Sequence, residues 1–238
     1  MRGKLKFFTT IAVSALVAAL LSLMPATASA DTTNLTAGQS INLATLIDNG
    51  LSVEIGDKVF GDFYFNYQDL GAPDVALASS NVNVRALSND IGFGLEFLEP
   101  LIAVNDKNKL VTFEYTAMVD PDFSNLISDI HLAITGSRGG AGTGTVNEDV
   151  FNDSFGGTQV GHVANALGGV LSGTTNIVPP VVKLWVDKEV MVSGNNGGPG
   201  SFATITVIDQ TYSQIPEPST MLLVGLALLG AFALKRRT

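Results

Sequence analysis

Between residues 31 and 214 apolar side chains recur at every second position, and that period admits few folds. In Lys109–Val119, Val111, Phe113, Tyr115, Ala117 and Val119 alternate with Thr112, Glu114 and Thr116. Ser128–Thr135 sets Ile130, Leu132 and Ile134 against Asp129, His131 and Thr135, and Lys58–Tyr67 sets Val59, Phe63, Phe65 and Tyr67 against Lys58, Asp62 and Asn66. Asn81–Leu87, Ile91–Leu98, Val181–Val186 and Ser201–Tyr212 continue the theme. A period of two sends successive side chains to opposite faces of a strand, and these runs are rich in the β-branched and aromatic residues that suit one. Turn-forming stretches separate them: Asp48-Asn49-Gly50, Gly71-Ala72-Pro73, Asn89-Asp90, Asn105-Asp106 and Asn195-Asn196-Gly197-Gly198. Strands with a single apolar face need a second sheet to cover it, so the expected fold is all-β, an antiparallel β-sandwich of jelly-roll or Ig-like type. Phe113, Tyr115, Ile130, Leu132 and Trp185 are expected in its core. Helix is scarce; Ile41–Ile47 is the one candidate, and it reads equally well as a strand.

The two ends have a different character. Arg2, Lys4 and Lys6 precede the apolar stretch Ile11–Leu21, and Ala28-Ser29-Ala30 supplies a small-residue cleavage site before Asp31. That order is an export signal peptide over residues 1–30; the alternative is a retained membrane helix, against which Pro25 and the small residues argue. At the other end, residues 215–238 hold Pro216-Glu217-Pro218, an uncharged apolar run from Met221 to Leu234, and Lys235-Arg236-Arg237. Two prolines fix φ, remove two backbone donors and keep the tripeptide extended. A helix over the apolar run is greasy on every face, as lipid requires, but rises only about 21 Å against a hydrocarbon core of about 30 Å. The basic cluster sets topology, with Lys235–Arg237 cytoplasmic and the rest of the chain outside.

These three parts in this order resemble the PEP-CTERM sorting signal. The resemblance covers Pro216–Thr238. It implies an exported bacterial protein that passes through the general secretion machinery and is held transiently in the inner membrane. It also implies processing by exosortase, a membrane-embedded cysteine protease-transpeptidase, and delivery to the cell surface or extracellular matrix of a Gram-negative-type, exopolysaccharide-making bacterium. An ordinary C-terminal membrane anchor is the competing reading of the same residues. A second resemblance, running loosely from Val111 to Gln214, is to a PEP-CTERM protein group of unassigned biochemistry. It rests on Pro179-Pro180, the apolar strand with Trp185, Asp187-Lys188-Glu189 turning out to solvent, a glycine-rich turn and a last strand before the tag, and it transfers no site.

Residues 31–214 carry 7 basic against 21 acidic residues, a net of −14. So acidic a domain is poorly suited to nucleic acid. With no cysteine anywhere, thiol chemistry and zinc–thiolate sites are excluded, and the fold must stand on its core rather than on disulfides. Gly139–Gly144 is glycine-rich but lacks the Gly-Lys-Ser/Thr of a phosphate loop and reads as a mobile loop. No Gly-x-Ser-x-Gly elbow is present. His131 falls on the polar face of its strand, far in sequence from His162. Asp120, Asp122 and Asn125 form the candidate calcium site, three oxygen-bearing side chains within one turn, although no Asp-x-Asp-x-Asp-Gly pattern accompanies them. Glu148, Asp149 and Asp153 read as a second acidic loop edge. The expected function is non-enzymatic: a structural or adhesive sandwich of the envelope or matrix. The alternatives are a carbohydrate (exopolysaccharide)-binding module, and a secreted hydrolase. An exposed aromatic strip on one sheet favours the first alternative; converging carboxylates in a cleft favour the second.

Overall fold

Wherever the alternation is sustained, the chain forms a strand, and the strands close into two facing sheets. The computed structural model describes residues 31–70, 77–105, 107–194 and 200–216. The cleavage-site residues Ala28 and Ala30, and the tail residues Glu217, Pro218, Met221, Leu234, Lys235, Arg236 and Arg237, lie outside the described residues.

In chain order the elements are β1 (Thr32–Asn34), β2 (Ser40–Asn42), helix α1 (Leu43–Asp48), β3 (Ser52–Ile55), β4 (Lys58–Asp69), a 3-10 turn (Ser79–Asn81), β5 (Asn83–Ser88) and β6 (Phe93–Val104). Then follow β7 (Asn108–Val119), β8 (Asn125–Gly139), β9 (Thr143–Phe151), β10 (Gln159–Ala166), β11 (Ser172–Val181), β12 (Lys183–Ser193) and β13 (Phe202–Pro216). One sheet has seven strands in the order β1-β3-β4-β7-β12-β9-β10, and the other has six in the order β11-β8-β13-β6-β5-β2. Every pairing is antiparallel except β1 with β3. From β6 onward the chain crosses from one sheet to the other at every connection except the β9–β10 hairpin, so the apolar faces are tied together by the chain path. The candidate helix is α1, one short helix capped by Asn42, whose side chain accepts from the Ala44 amide at 3.0 Å. It lays Leu43 and Leu46 onto the core.

The core between the sheets takes Val111, Phe113, Tyr115, Ala117 and Val119 from β7, and Ile127, Ile130, Leu132 and Ile134 from β8. Tyr115 and Tyr212, one from each sheet, meet hydroxyl to hydroxyl at 2.8 Å with both rings fully buried. Burial and this contact together hold the Tyr212 phenol well above its ordinary pKa, desolvation being the larger cause.

Four of the five expected core residues are buried; Trp185 is not. Strand β12 turns Leu184, Val186, Lys188, Val190 and Val192 inward, which leaves Lys183, Trp185, Asp187 and Glu189 on the outer face. The run Val181–Val186 is apolar at both parities, so its phase cannot be read locally. It is also interrupted, since β11 ends at Val181 and β12 begins at Lys183. The same phase puts Lys188 in the core, where it is fully buried rather than turned out to solvent.

A second phase change lies in β4. Asp62 adopts φ 54° and, with Phe63, opposes the single residue Tyr115, a bulge that shifts the register between Gly61 and Tyr64. Ahead of the bulge Lys58 and Phe60 face the core; beyond it Phe63, Phe65 and Tyr67 do. Phe60 is therefore central, with its ring 5.7 Å from Tyr212 and 6.4 Å from Tyr115, and Val59 is not. Gly139–Gly144 is likewise a tight turn between two strands rather than an open loop. Strand β8 runs to Gly139, the Gly142 amide donates to the Gly139 carbonyl at 3.1 Å, and Gly140, at φ 57°, lets this tight turn carry the chain across to β9 in the other sheet.

Phe60→Ala should lower the unfolding free energy by about 3–5 kcal/mol, the usual cost of truncating a buried phenylalanine. Asp62→Gly, which keeps the positive φ available, should cost less than about 1 kcal/mol. Urea unfolding of the two variants beside the parent checks both; equal losses would mean that the Asp62 carboxylate, which accepts from Thr116 Oγ1 at 3.0 Å, matters as much as the ring.

Candidate functional site

The outer face of the seven-stranded sheet gathers most of the chemistry that points to solvent. Its strands lie in register, so side chains of one parity form straight rows across them. One row runs Tyr64 (β4), Glu114 (β7), Asp187 (β12), Asp149 (β9), His162 (β10). The next row toward Glu189 sets it beside Thr112 and Asn147. On the other side Trp185 lies directly opposite Phe151, with Thr116 on its far flank. Three aromatic side chains, on β4, β12 and β9, thus border a patch of four carboxylates. Asn147, Asp149, His162, Asp187 and Glu189 line a shallow open hollow within it.

The electrostatics of the patch follow from crowding. Desolvation, then the charge of Asp187, raises the Glu114 carboxyl above the usual range. Desolvation, then Asp149 and Glu189, raises that of Asp187. Asp149 is held in place by the Gln159 amide nitrogen at 2.6 Å and by His162 Nδ1 at 2.8 Å. Lys183 places its ammonium 4.7 Å from the centroid of the Trp185 ring, a cation–π contact, and reaches Asp62 Oδ2 at 3.5 Å. Tyr64 is 49% exposed, so a flat ligand has access to its ring.

The opposite sheet carries a row of another kind: Arg85 (β5), Glu96 (β6), Asp209 (β13). Arg85 bonds Glu96, and Asp209 beside them is pushed up to about 6, chiefly by desolvation and then by the Glu96 charge. Farther along this face His131 bonds Thr174 Oγ1 at 2.7 Å and Ser172 Oγ at 3.1 Å, so both ring nitrogens are held by hydroxyls. That agrees with its expected polar face and puts it on the sheet opposite from His162.

The calcium candidates are arranged for a turn. Asp120 Oδ1 accepts from the Asp122 amide at 2.8 Å, the Phe123 amide donates to the Asp120 carbonyl at 2.9 Å, and Asn125 starts β8 opposite Pro216. Among the described residues no three His, Cys, Asp or Glu side chains converge to hold a metal. The second acidic loop edge is taken apart by the fold. Glu148 is fully buried, Asp149 faces outward, and Asp153 caps its own turn by accepting from the Ser154 and Thr158 amides at 2.9 Å each. Of the sorting motif, Pro216 is the last residue of β13 and pairs with Asn125.

Residues 214–237 match the family model described as the PEP-CTERM protein-sorting motif. The chain carries that motif, which indicates export and membrane-anchored sorting to the cell surface. No curated protein matches the chain. Among solved structures, the enzymatically active domain of bacteriophage CBA120 tailspike protein 4 aligns at 13% identity over 63% of this chain and 19% of that one, with a TM-score of 0.29. A chain of the Glycosylation Associate Protein (Gap123) complex from Streptococcus agalactiae aligns at 9% identity, 63% and 44% coverage, and a TM-score of 0.27. CsCBM6-3 from Clostridium stercorarium, solved with cellobiose, aligns at 12% identity, 76% and 97% coverage, and a TM-score of 0.25. The chain spans about a fifth of the tailspike and less than half of the Gap123 chain. Similarity at this level does not bear on what the chain binds.

The raised Asp209 gives a pH prediction. A carboxyl whose folded pKa lies above its unfolded value contributes stability that is complete below about pH 4 and lost as the pH rises through about 6. Asp209→Asn should therefore be neutral near pH 3.5 and stabilise by on the order of 1 kcal/mol at pH 8, a figure already reduced for partial solvent screening. Urea midpoints of parent and variant across that range check it, and a variant less stable at pH 8 would contradict it.

Proposed function

We propose that this is an exported protein, processed by exosortase, that works without catalysis as a structural or adhesive domain of the cell surface or matrix. Its seven-stranded sheet makes the contact, and the ligand is a neutral polysaccharide. The observation that carries this reading is the placement of Tyr64, Trp185 and Phe151 around Glu114, Asp149, Asp187 and Glu189 on one open face. A sugar ring has an apolar C–H face that stacks on a flat aromatic ring, and its hydroxyls donate to carboxylates. Adjacent strands are about 4.8 Å apart, so Phe151 on β9 and Tyr64 on β4 lie roughly 14 Å apart across the sheet, room for a few sugar rings in line. The net charge of −14 on residues 31–214 disfavours anionic glycans at low salt. Carboxylates adjoin one another here, but the face is open rather than a cleft, and an open face leaves water free to compete with any reacting group.

Affinity electrophoresis against neutral and anionic polysaccharides tests the proposal. Retardation by a neutral glucan or xylan is expected, weakened about two- to tenfold by Trp185→Ala or Tyr64→Ala, which remove about 0.5–1.5 kcal/mol of stacking. No retardation by any neutral polymer, or retardation unaffected by both variants, overturns it.

Anchoring by Met221–Leu234 with Lys235–Arg237 inside leaves Pro216-Glu217-Pro218 just outside the membrane. Because β13 runs through Pro216 and the Gln214 side chain accepts from the buried Lys58 ammonium at 3.0 Å, a cut that spares the fold falls C-terminal to Pro216. Mass spectrometry of the mature protein should show an end at Pro216 or a few residues beyond, and Glu217→Ala should block release. A released product ending at Thr238 identifies an ordinary anchor instead.

A further inference from the structure

A polar cluster unrelated to the outer face lies at the centre of the sandwich. Lys188 of β12, Glu148 of β9 and Gln210 of β13 are each 0% exposed. Lys188 and Glu148 sit directly opposite each other on neighbouring strands of one sheet, and Nζ bonds Glu148 Oε2. From the other sheet Gln210 reaches across the gap and places Oε1 2.8 Å from the same Nζ. Phe113 flanks Lys188 on β7, and Val186 and Val190 lie before and after it on β12, all buried. An ammonium in such a place is strongly disfavoured, and desolvation drives the Lys188 pKa well below its ordinary value. Two atoms of the cluster lack any partner: Glu148 Oε1 and Gln210 Nε2. A buried carboxamide whose NH2 bonds to nothing is a costly arrangement that native cores avoid.

We propose that Lys188 and Gln210 are joined by an intramolecular isopeptide bond formed after folding, with Glu148 as the proton carrier. Nζ first passes a proton to Glu148 and becomes a neutral amine, the nucleophilic form of lysine. Its lone pair adds to Cδ of Gln210, and the carbonyl π electrons move onto Oε1. Glu148 delivers its proton to Nε2 and takes one from Nζ. The Cδ–Nε2 bond then breaks with its electron pair as Oε1 reforms the carbonyl. Ammonia leaves, as ammonium once it carries off the remaining proton, and Glu148 returns to a carboxylate. One N–C bond forms, one breaks, and no oxidant or cofactor is consumed. The orphaned NH2 is the group expelled, and the amide N–H of the product donates to the Glu148 carboxylate, so the reaction removes the unsatisfied donor that the unreacted cluster retains. Proximity supplies most of the rate, since three rigid strands hold the reactants in place. The bond ties β12 in one sheet to β13 in the other, which is the strand that leads into the membrane tail.

Intact-mass measurement of the full, unprocessed chain tests this without reference to glycan binding or sorting. The expected mass is lower than that of the sequence by one ammonia, and trypsin should fail to cut after Lys188. Glu148→Gln and Lys188→Arg should each restore the unmodified mass. If either variant fails to fold, the parent protein alone still decides. A parent of unmodified mass overturns the proposal. A loss of one water places the bond on Glu148 and overturns the assignment of Gln210. An ammonia loss that persists in Lys188→Arg arises elsewhere and overturns it as well.

Discussion

The two sheets close on a lysine. Strand β12 has to turn Leu184, Val186, Val190 and Val192 into the gap, and with a period of two the same constraint delivers Lys188 to the middle of the core. The residue cannot be moved outward without exposing the four apolar neighbours of its own parity. Glu148 from β9 and Gln210 from β13 sit where they must to meet it. Removing one member of such a set generally costs about 3–5 kcal/mol, because a buried charge or donor is left alone. The cluster therefore fixes the phase of three strands and the pairing of one sheet with the other. Lys58 at one end of the sandwich repeats the device on a smaller scale, with Asp57 at 2.8 Å and Gln214 at 3.0 Å.

That arrangement gives the outer faces their chemistry. With even-numbered residues of β12 committed to the core, Trp185, Asp187 and Glu189 must point to solvent, in register with Phe151, Asp149 and Asn147 of β9. Without cysteine, stability outside the cell rests on this core, on the paired hydroxyls of Tyr115 and Tyr212, and on the aromatic contacts of Phe60, Phe97 and Phe113. The last strand joins the two halves of the molecule's role. It carries Gln210 and Tyr212 in the core and runs straight into the sorting motif at Pro216, so a pull on the tail is felt first by β13.

Much of this was legible in the sequence, and the failures have local causes. Strand β7 and the Ser128–Thr135 part of β8 alternate, and the buried Phe113, Tyr115, Ile130 and Leu132 follow from that, whereas Ile127, buried beyond a register shift, does not. The polar placement of His131 could be read in the same way, while Ile41–Ile47, open as helix or strand in the sequence, is divided between β2 and α1. Trp185 could not, because Val181–Val186 is apolar at both parities and the deciding residue, Lys188, looks like a surface side chain. Val59 and Phe60 exchanged roles because a single positive-φ residue, Asp62, inserts a bulge that no composition rule marks. Strands β9, β10 and β11 were missed for a related reason. Their inward positions include Gly144, Glu148, Asn165 and Gly173, and so they lack the apolar stripe that announces a strand. The patch on the outer face depends on cross-strand register between β4, β7, β12, β9 and β10, a relation between distant segments that a linear reading does not contain.

The proposed bond between Lys188 and Gln210 would tie β13 to β12 across the core and carry force applied at the C-terminal end. Single-molecule pulling on the folded chain, held at Asp31 and just beyond Pro216, tests it directly. With Lys188 bonded to Gln210, force bypasses residues 189–209, and the contour length gained on full unfolding falls short of the whole chain by about 3.6 Å for each of those residues. A gain that accounts for every residue between the handles would contradict the account.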